Sequence, residues 1–157
     1  MRGQVFLDTC IFFSVVNNPS DRYTLQHFQN IGVSFYSSLP VFGEFIAEIA
    51  VKKDKDTFIR TFLSILEELD VTGLVPNPRV SYACYLLCRH NEDERMKHQH
   101  TDLVHLGYAM AYEIPLFLTS DKNLTRYRLP SHLTDKGYQK PQMIDLATAK
   151  KEFLTKK

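Results

Sequence analysis

The chain has 157 residues, 44% of them hydrophobic and 24% charged, which is enough to bury one sizeable core and too little for two ordinary domains. Nineteen basic against eighteen acidic residues leave a formal net charge of +1, which excludes the long-range field that draws a protein onto duplex DNA or an anionic membrane, so any nucleic-acid contact must be local. Cys10, Cys84 and Cys88 are an odd number with no Cys-x-x-Cys pair, and no apolar stretch approaches the roughly 18 residues of a membrane span, so a reducing, cytoplasmic home without membrane attachment is expected.

Val5-Phe6-Leu7 is a short apolar run that ends abruptly at Asp8-Thr9, which predicts a buried strand running into a turn. Asn17-Asn18-Pro19-Ser20-Asp21 reads as a loop, 33–36 as a second strand, and Pro40 as the start of a helix over 40–52. Phe58, Phe62, Leu63, Ile65, Leu66 and Leu69 recur at near-helical spacing within 54–69, after which Gly73, Pro76 and Pro78 punctuate the chain. Another helix follows to about Arg89, and the polar stretch 91–100 reads as a loop. Thr101 is placed to cap a helix over 102–113, which Pro115 stops before a strand at 116–119. Lys150, Lys151, Lys156 and Lys157 are expected in a solvated tail. Short strands alternating with helices define an α/β fold with a mainly parallel sheet covered on both faces, as one domain over 1–157.

In open α/β sheets ligands bind outside the carboxyl ends of the strands, and two aspartates fall there. Asp8 directly follows the first strand, and Asp121 follows the last one after a single serine. Asp102 lies in the first turn of its helix, and a helix that precedes a parallel strand begins at the far edge unless the topology carries it across. Each of these acids has an ordinary reading beside the chemical one. Asp8 and Asp121 suit turn formers or helix caps, and Asp102 suits the helix macrodipole. Glu44 points away from the apolar stripe of Phe42, Phe45, Ile46 and Ile49 and suits a solvated face, with Glu48 one turn later able to share it.

The ordered combination carries more than its parts. Val5-Phe6-Leu7-Asp8-Thr9-Cys10-Ile11 resembles the opening of PIN-domain ribonucleases, and Leu39-Pro40-Val41-Phe42-Gly43-Glu44-Phe45 is similar to the helix that carries the family's glutamate. Thr101-Asp102-Leu103-Val104 and Leu118-Thr119-Ser120-Asp121-Lys122-Asn123-Leu124 resemble its third and fourth acidic positions, the latter within a Thr-x-Asp signature. The resemblance spans about residues 4 to 125. It implies a three-layer α/β/α sandwich, often of the VapC-toxin type, in which Asp8, Glu44, Asp102 and Asp121 hold Mg²⁺ or Mn²⁺ and cleave RNA. Asp8, Asp102 and Asp121 would be direct or water-mediated ligands, Glu44 would position the ion or the attacking water, and Thr9 and Thr119 would orient carboxylates from behind. It further implies RNA as a partner, an antitoxin protein where the chain is a toxin, and a homo-oligomer. Small, hard Mg²⁺ prefers oxygen ligands and keeps several waters, so a few carboxylates suffice.

Other constellations compete. Cys84 and Cys88 lie one helical turn apart, with His98, His100 and His105 downstream, which raises a zinc site. A strand ending in Asp also opens the haloacid-dehalogenase phosphatases, but the general-acid position holds Cys10, and a metal-dependent phosphatase or DNA nuclease is the runner-up enzyme. No G-x-G-x-x-G, Walker or Gly-x-Ser-x-Gly motif is present. The non-enzymatic alternative is a PIN-like fold serving as an RNA- or protein-binding module. Lys52, Lys53, Lys97, His98, His100, Lys122, Arg126 and Arg128 are available for RNA contact, with Phe12, Phe13 and Tyr127 for base stacking, against an ordinary reading of solvated face or core.

Overall fold

The computed structural model of the protein describes residues 3–154, and Lys156 and Lys157 of the expected tail lie outside them. Strands β1 (Gln4–Leu7), β2 (Ser34–Ser38), β3 (Thr72–Leu74), β4 (Leu116–Leu118) and β5 (Gln142–Ile144) form one sheet in the order β3-β2-β1-β4-β5. Every neighbouring pair is parallel. Val5, Phe6 and Leu7 are wholly buried, as a continuous apolar run in a central parallel strand requires, and Phe6 stacks on Phe117 of β4 at 4.7 Å between ring centroids.

The helices are α1 (Thr9–Asn17), α2 (Pro19–Asn30), α3 (Leu39–Ala50), α4 (Lys55–Glu68), α5 (Pro78–Asp93), α6 (His100–Ala111), α7 (Lys122–Thr125), α8 (Ser131–Thr134) and α9 (Leu146–Leu154). Right-handed crossovers put the helices that lead outward from β1 to β3 on one face and those that return to β4 on the other. Packing divides the same way, with α1 against α2, α3 and α4, and α5 against α6. Phe12, Phe42, Phe45 and Phe62 interlock beneath α1, α3 and α4.

The expected strands and the helices at 40–52, 54–69 and 102–113 are present within a few residues of their bounds. Several details differ. The segment read as a loop, Asn17 to Asp21, is the junction between α1 and α2. Asn18 accepts from Ser20 N (3.0 Å) and Pro19 takes the first helical position, so loop-like composition here encodes a helix start. Gly73, read as punctuation, sits inside β3. Helix α5 runs to Asp93, four residues past Arg89. Gln99 rather than Thr101 occupies the N-cap of α6 and makes no side-chain cap bond. Lys150 and Lys151 belong to α9 rather than to a tail.

Two helices, not one, separate β3 from β4. Arg79 at the start of α5 pairs with Glu113 just past α6 (2.8 Å), Cys84 meets Val104, and Glu92 near the end of α5 meets His100 at the start of α6 (2.8 Å), so the pair is antiparallel. Gly107 makes the approach possible, because a Cβ there would lie 3.1 Å from Cys84 N and 3.2 Å from Cys84 Cα. Helix α6 runs antiparallel to β4, the strand it feeds, and so begins at the carboxyl edge beside Asp8; the expected far-edge start of a helix that precedes a parallel strand is overturned, because a crossover helix runs against its strands.

Candidate active site

Strand order progresses outward in both directions from β1 and β4, so the crevice between their carboxyl ends is the switch point of the sheet. Asp8 lies there, 4% exposed, and its N–H donates to Leu118 O (3.2 Å), tying the end of β1 to the end of β4. It caps α1, with Oδ1 accepting from Thr9 N (2.9 Å). Oδ1 also accepts from His105 Nδ1 (3.1 Å), while Oδ2 accepts from Thr119 Oγ1 (2.7 Å) and Cys10 Sγ (3.4 Å). Burial pushes this carboxyl up. The hydrogen bonds from His105 and Thr119, the attraction of His105 and the Thr9 N–H outweigh it and hold Asp8 below the ordinary carboxylate value.

Asp121 caps α7, its Oδ1 accepting from Asn123 N (2.7 Å) and Leu124 N (3.3 Å), and its own N–H donates to Thr119 Oγ1 (3.0 Å). One threonine hydroxyl therefore links Asp8 to the turn that carries Asp121. Thr9 Oγ1 donates to Glu44 Oε2, fixing the α3 carboxylate against the end of β1. Asp102, half-buried in the first turn of α6, takes no hydrogen bond or ion pair among the described residues. Burial, then the charges of Asp8 and Asp121, then that of Glu44, raise its pKa to about 6 against the opposing pull of His105.

All four acids line one cleft of about 260 Å³, together with Thr9, Cys10, Phe13, Glu48, Gln99 and Ser120. Among the described residues no three His, Cys, Asp or Glu side chains already stand in ligating geometry. The donor set nevertheless fits a hydrated divalent cation. It is rich in oxygen, burial and then the neighbouring acids disfavour the charge on Asp102, which a cation would offset, and Asp102 offers oxygens with no protein donor on them among the described residues.

The residues expected at the site come together, and those expected around it disperse. Glu44 faces the cleft because the buried stripe of α3 is Val41, Phe45 and Ile49, with Ile46 at 45% exposure on the outside. Phe12 and Tyr127 are core residues and cannot stack on a base, whereas half-buried Phe13 lines the cleft under Lys52 Nζ, 4.9 Å from its ring. His98 packs on Tyr127 with ring centroids 5.1 Å apart, and His100 pairs with Glu92. The zinc constellation is taken apart: Cys84 donates to Val104 O (3.5 Å), burial pushes its thiol up to about 12, and His98, His100 and His105 go to three different places. Cys10 and His105 are the site residues that sequence reasoning did not assign to the acidic cluster. A buried histidine three residues after Asp102, on the otherwise apolar face of α6, is the signal that points to the second.

The sheet order and the switch-point cleft with its four carboxylates define a PIN-like α/β/α fold. No family model matches the chain, and no curated protein matches it. Solved structures do. A chain of VapBC2 from Rickettsia felis, bound to a fragment of its promoter DNA, superposes with a TM-score of 0.69 at 14% identity, over 90% of this chain and 98% of that one. DNA-bound VapBC from Salmonella typhimurium gives a TM-score of 0.69 at 14% identity, over 92% and 98%. PAE2754 from Pyrobaculum aerophilum gives a TM-score of 0.63 at 10% identity, over 99% and 98%. At such identities the likeness is one of fold. No helix among the described residues is long and apolar enough to cross a membrane.

Proposed function

We propose that this chain is a metal-dependent endoribonuclease, using Mg²⁺ or Mn²⁺, and the toxin member of a pair whose partner is an antitoxin protein. The observation that carries the nuclease reading is the meeting of Asp8, Glu44, Asp102 and Asp121, from four different elements, in one cleft at the switch point. The toxin and antitoxin assignments rest on the likeness in fold to VapBC complexes.

A bound divalent ion supplies Lewis-acid polarisation of water and offsets charge on the scissile phosphate. The chain's own groups have separable tasks. Asp102 and Asp121 present carboxylate oxygens at the mouth of the cleft. Asp8 anchors the floor, where Cys10 is its weakest and most displaceable donor. Glu44, held by Thr9, orients the attacking water, and Thr119 keeps Asp8 and Asp121 in register. Residues 122–134, directly after Asp121, carry Lys122, Arg126 and Arg128 and no acid, a local positive stretch that suits RNA phosphates despite the near-neutral whole. Exposed Lys97 adds to it, and Phe13 offers a ring to an unstacked base, which favours single-stranded or looped RNA.

Purified protein is expected to cleave single-stranded RNA with added Mg²⁺ or Mn²⁺ and to stop when a chelator is present. Cleavage that persists in chelator, or none with any divalent ion, overturns the reading. One observation favours a non-catalytic binding module instead: four protein donors already occupy the Asp8 carboxylate. That alternative predicts RNA retention indifferent to chelator and no cleavage.

A further inference from the structure

His105 is 1% exposed and absent from the wall of the cleft, yet it touches two of the acids that line it. Nδ1 lies 3.1 Å from Asp8 Oδ1, and Nε2 lies 3.7 Å from Glu44 Oε2. A charged carboxylate only accepts, so the Nδ1 position carries the proton and donates to Asp8. The Nε2 contact is beyond hydrogen-bond distance and is the looser of the two. The ring is placed by α6, whose residues from His105 to Ala111 are all buried, and the close seam at Gly107 leaves that helix little room to shift. An imidazole locked in this way resists motion of Asp8, whose position in turn sets where an ion can sit. Metal-binding histidines are ordinarily oriented by a carboxylate behind them, and here the order is reversed, with the imidazole behind the carboxylates.

We propose that His105 is a positioning residue that clamps Asp8, and secondarily Glu44, from behind the cleft, so that the carboxylates are preorganised for a divalent cation without the imidazole ligating it. This rests on the reading of the four acids as a metal site. Removal of a group that orients ligands typically weakens metal binding tenfold to a hundredfold.

The test is Mn²⁺ affinity of the whole chain, measured by electron paramagnetic resonance of free and bound ion, with no RNA present. Wild type is expected to bind Mn²⁺ with no directly bound nitrogen in the pulsed spectrum. His105→Leu should bind about tenfold to a hundredfold more weakly. His105→Asn places an amide N–H near the Nδ1 position and should recover most of the loss. His105→Gln mimics Nε2 and should recover little, because the Glu44 contact is the longer one. If His105→Leu does not fold, the ranking of Asn above Gln remains the test. Wild-type affinity in His105→Leu, or Gln rescuing better than Asn, overturns the clamp and leaves the metal site standing. A directly bound nitrogen makes His105 a ligand and overturns it as well. Failure of wild type to bind Mn²⁺ sinks both the clamp and the metal reading.

Discussion

The floor of the acidic cleft and its rim are built on opposite electrostatic logic. On the floor, Asp8 is buried and accepts from Thr9, Cys10, Thr119 and His105, about as many donors as a carboxylate has lone-pair sites. At the rim, Asp102 takes no protein donor among the described residues and is pushed up to about 6 by burial and by its acidic neighbours. Two aspartates lining one cleft thus have their pKa values driven apart, one below and one above the ordinary value. The floor is satisfied without a cation and holds shape. The rim is unsatisfied, and a cation has most to offer there.

The largest expected effect separates these two regions by stability while uniting them in activity. Asp8→Asn and Asp121→Asn should each lower cleavage at least about a hundredfold, since each removes charge from the proposed metal site. Only Asp8→Asn should also destabilise the fold, by about 1–3 kcal/mol, because its amide would turn an N–H₂ towards buried donors. Asn at 121 can still cap α7 and should melt close to wild type. Equal melting of the two variants would erase the distinction between floor and rim, and full activity in either would remove that residue from the site.

The next effect acts on how the rim is delivered. Asp102 reaches the cleft because α6 lies tightly along α5, and a methyl group at Gly107 would press on the Cys84 backbone. Gly107→Ala gains up to about 1 kcal/mol of helix propensity. Overpacking of this kind typically costs about 1–3 kcal/mol. A fall of a few degrees in melting temperature is expected, with weaker Mn²⁺ binding as α6 is displaced. A higher melting temperature would show that the seam yields easily and does not hold Asp102 in place.

Much of this arrangement was legible in the residues. A wholly apolar Val5-Phe6-Leu7 that breaks off at Asp8-Thr9 reads as a buried strand, so an acid after it lands at the sheet edge, and the same holds for Leu116-Phe117-Leu118. What escaped had several causes. The edge strands β3 and β5 are three residues each, and the Gly73 inside β3 looks like a breaker, so only pairing with β2 and β4 identifies them. The edge that Asp102 reaches was in fact legible from the element order, since a helix leading into a parallel strand runs against it and begins at the carboxyl edge, and the far-edge expectation inverted that direction. Glu44 was placed at the site by its motif and not by its helix face, because Ile46 reads as core and is exposed, which rotated the expected buried face of α3 away from the real one. His105 was visible as a polar residue on an apolar face, but its partners, 97 and 61 residues away, were not.

The smallest effect is the most direct probe of the rim, because it needs no substrate. The folded-state pKa of Asp102, about 6, stands above its ordinary value of 3.8, so folding disfavours the charged carboxylate. The associated stability is fully present below about pH 3.8 and is lost as pH rises through about 6. Because the group is only half-buried, solvent screening reduces the penalty at pH 7 to about 1 kcal/mol. Asp102→Asn removes that penalty, so metal-free variant should melt a few degrees above wild type at pH 7, and the two should converge towards pH 4. The favourable interaction of an acid with the first turn of α6 opposes this and is worth at most about 1 kcal/mol, so the pH dependence of the difference is more telling than its size. Mn²⁺ should raise the melting temperature of wild type more than that of the variant, and should do so less effectively below pH 6, where the proton competes with the ion. If Asp102→Asn melts below wild type at pH 7 by a margin that widens rather than closes with rising pH, and Mn²⁺ stabilises both equally, then Asp102 serves its helix end, and the rim of the cleft is Asp121 with Glu44 alone.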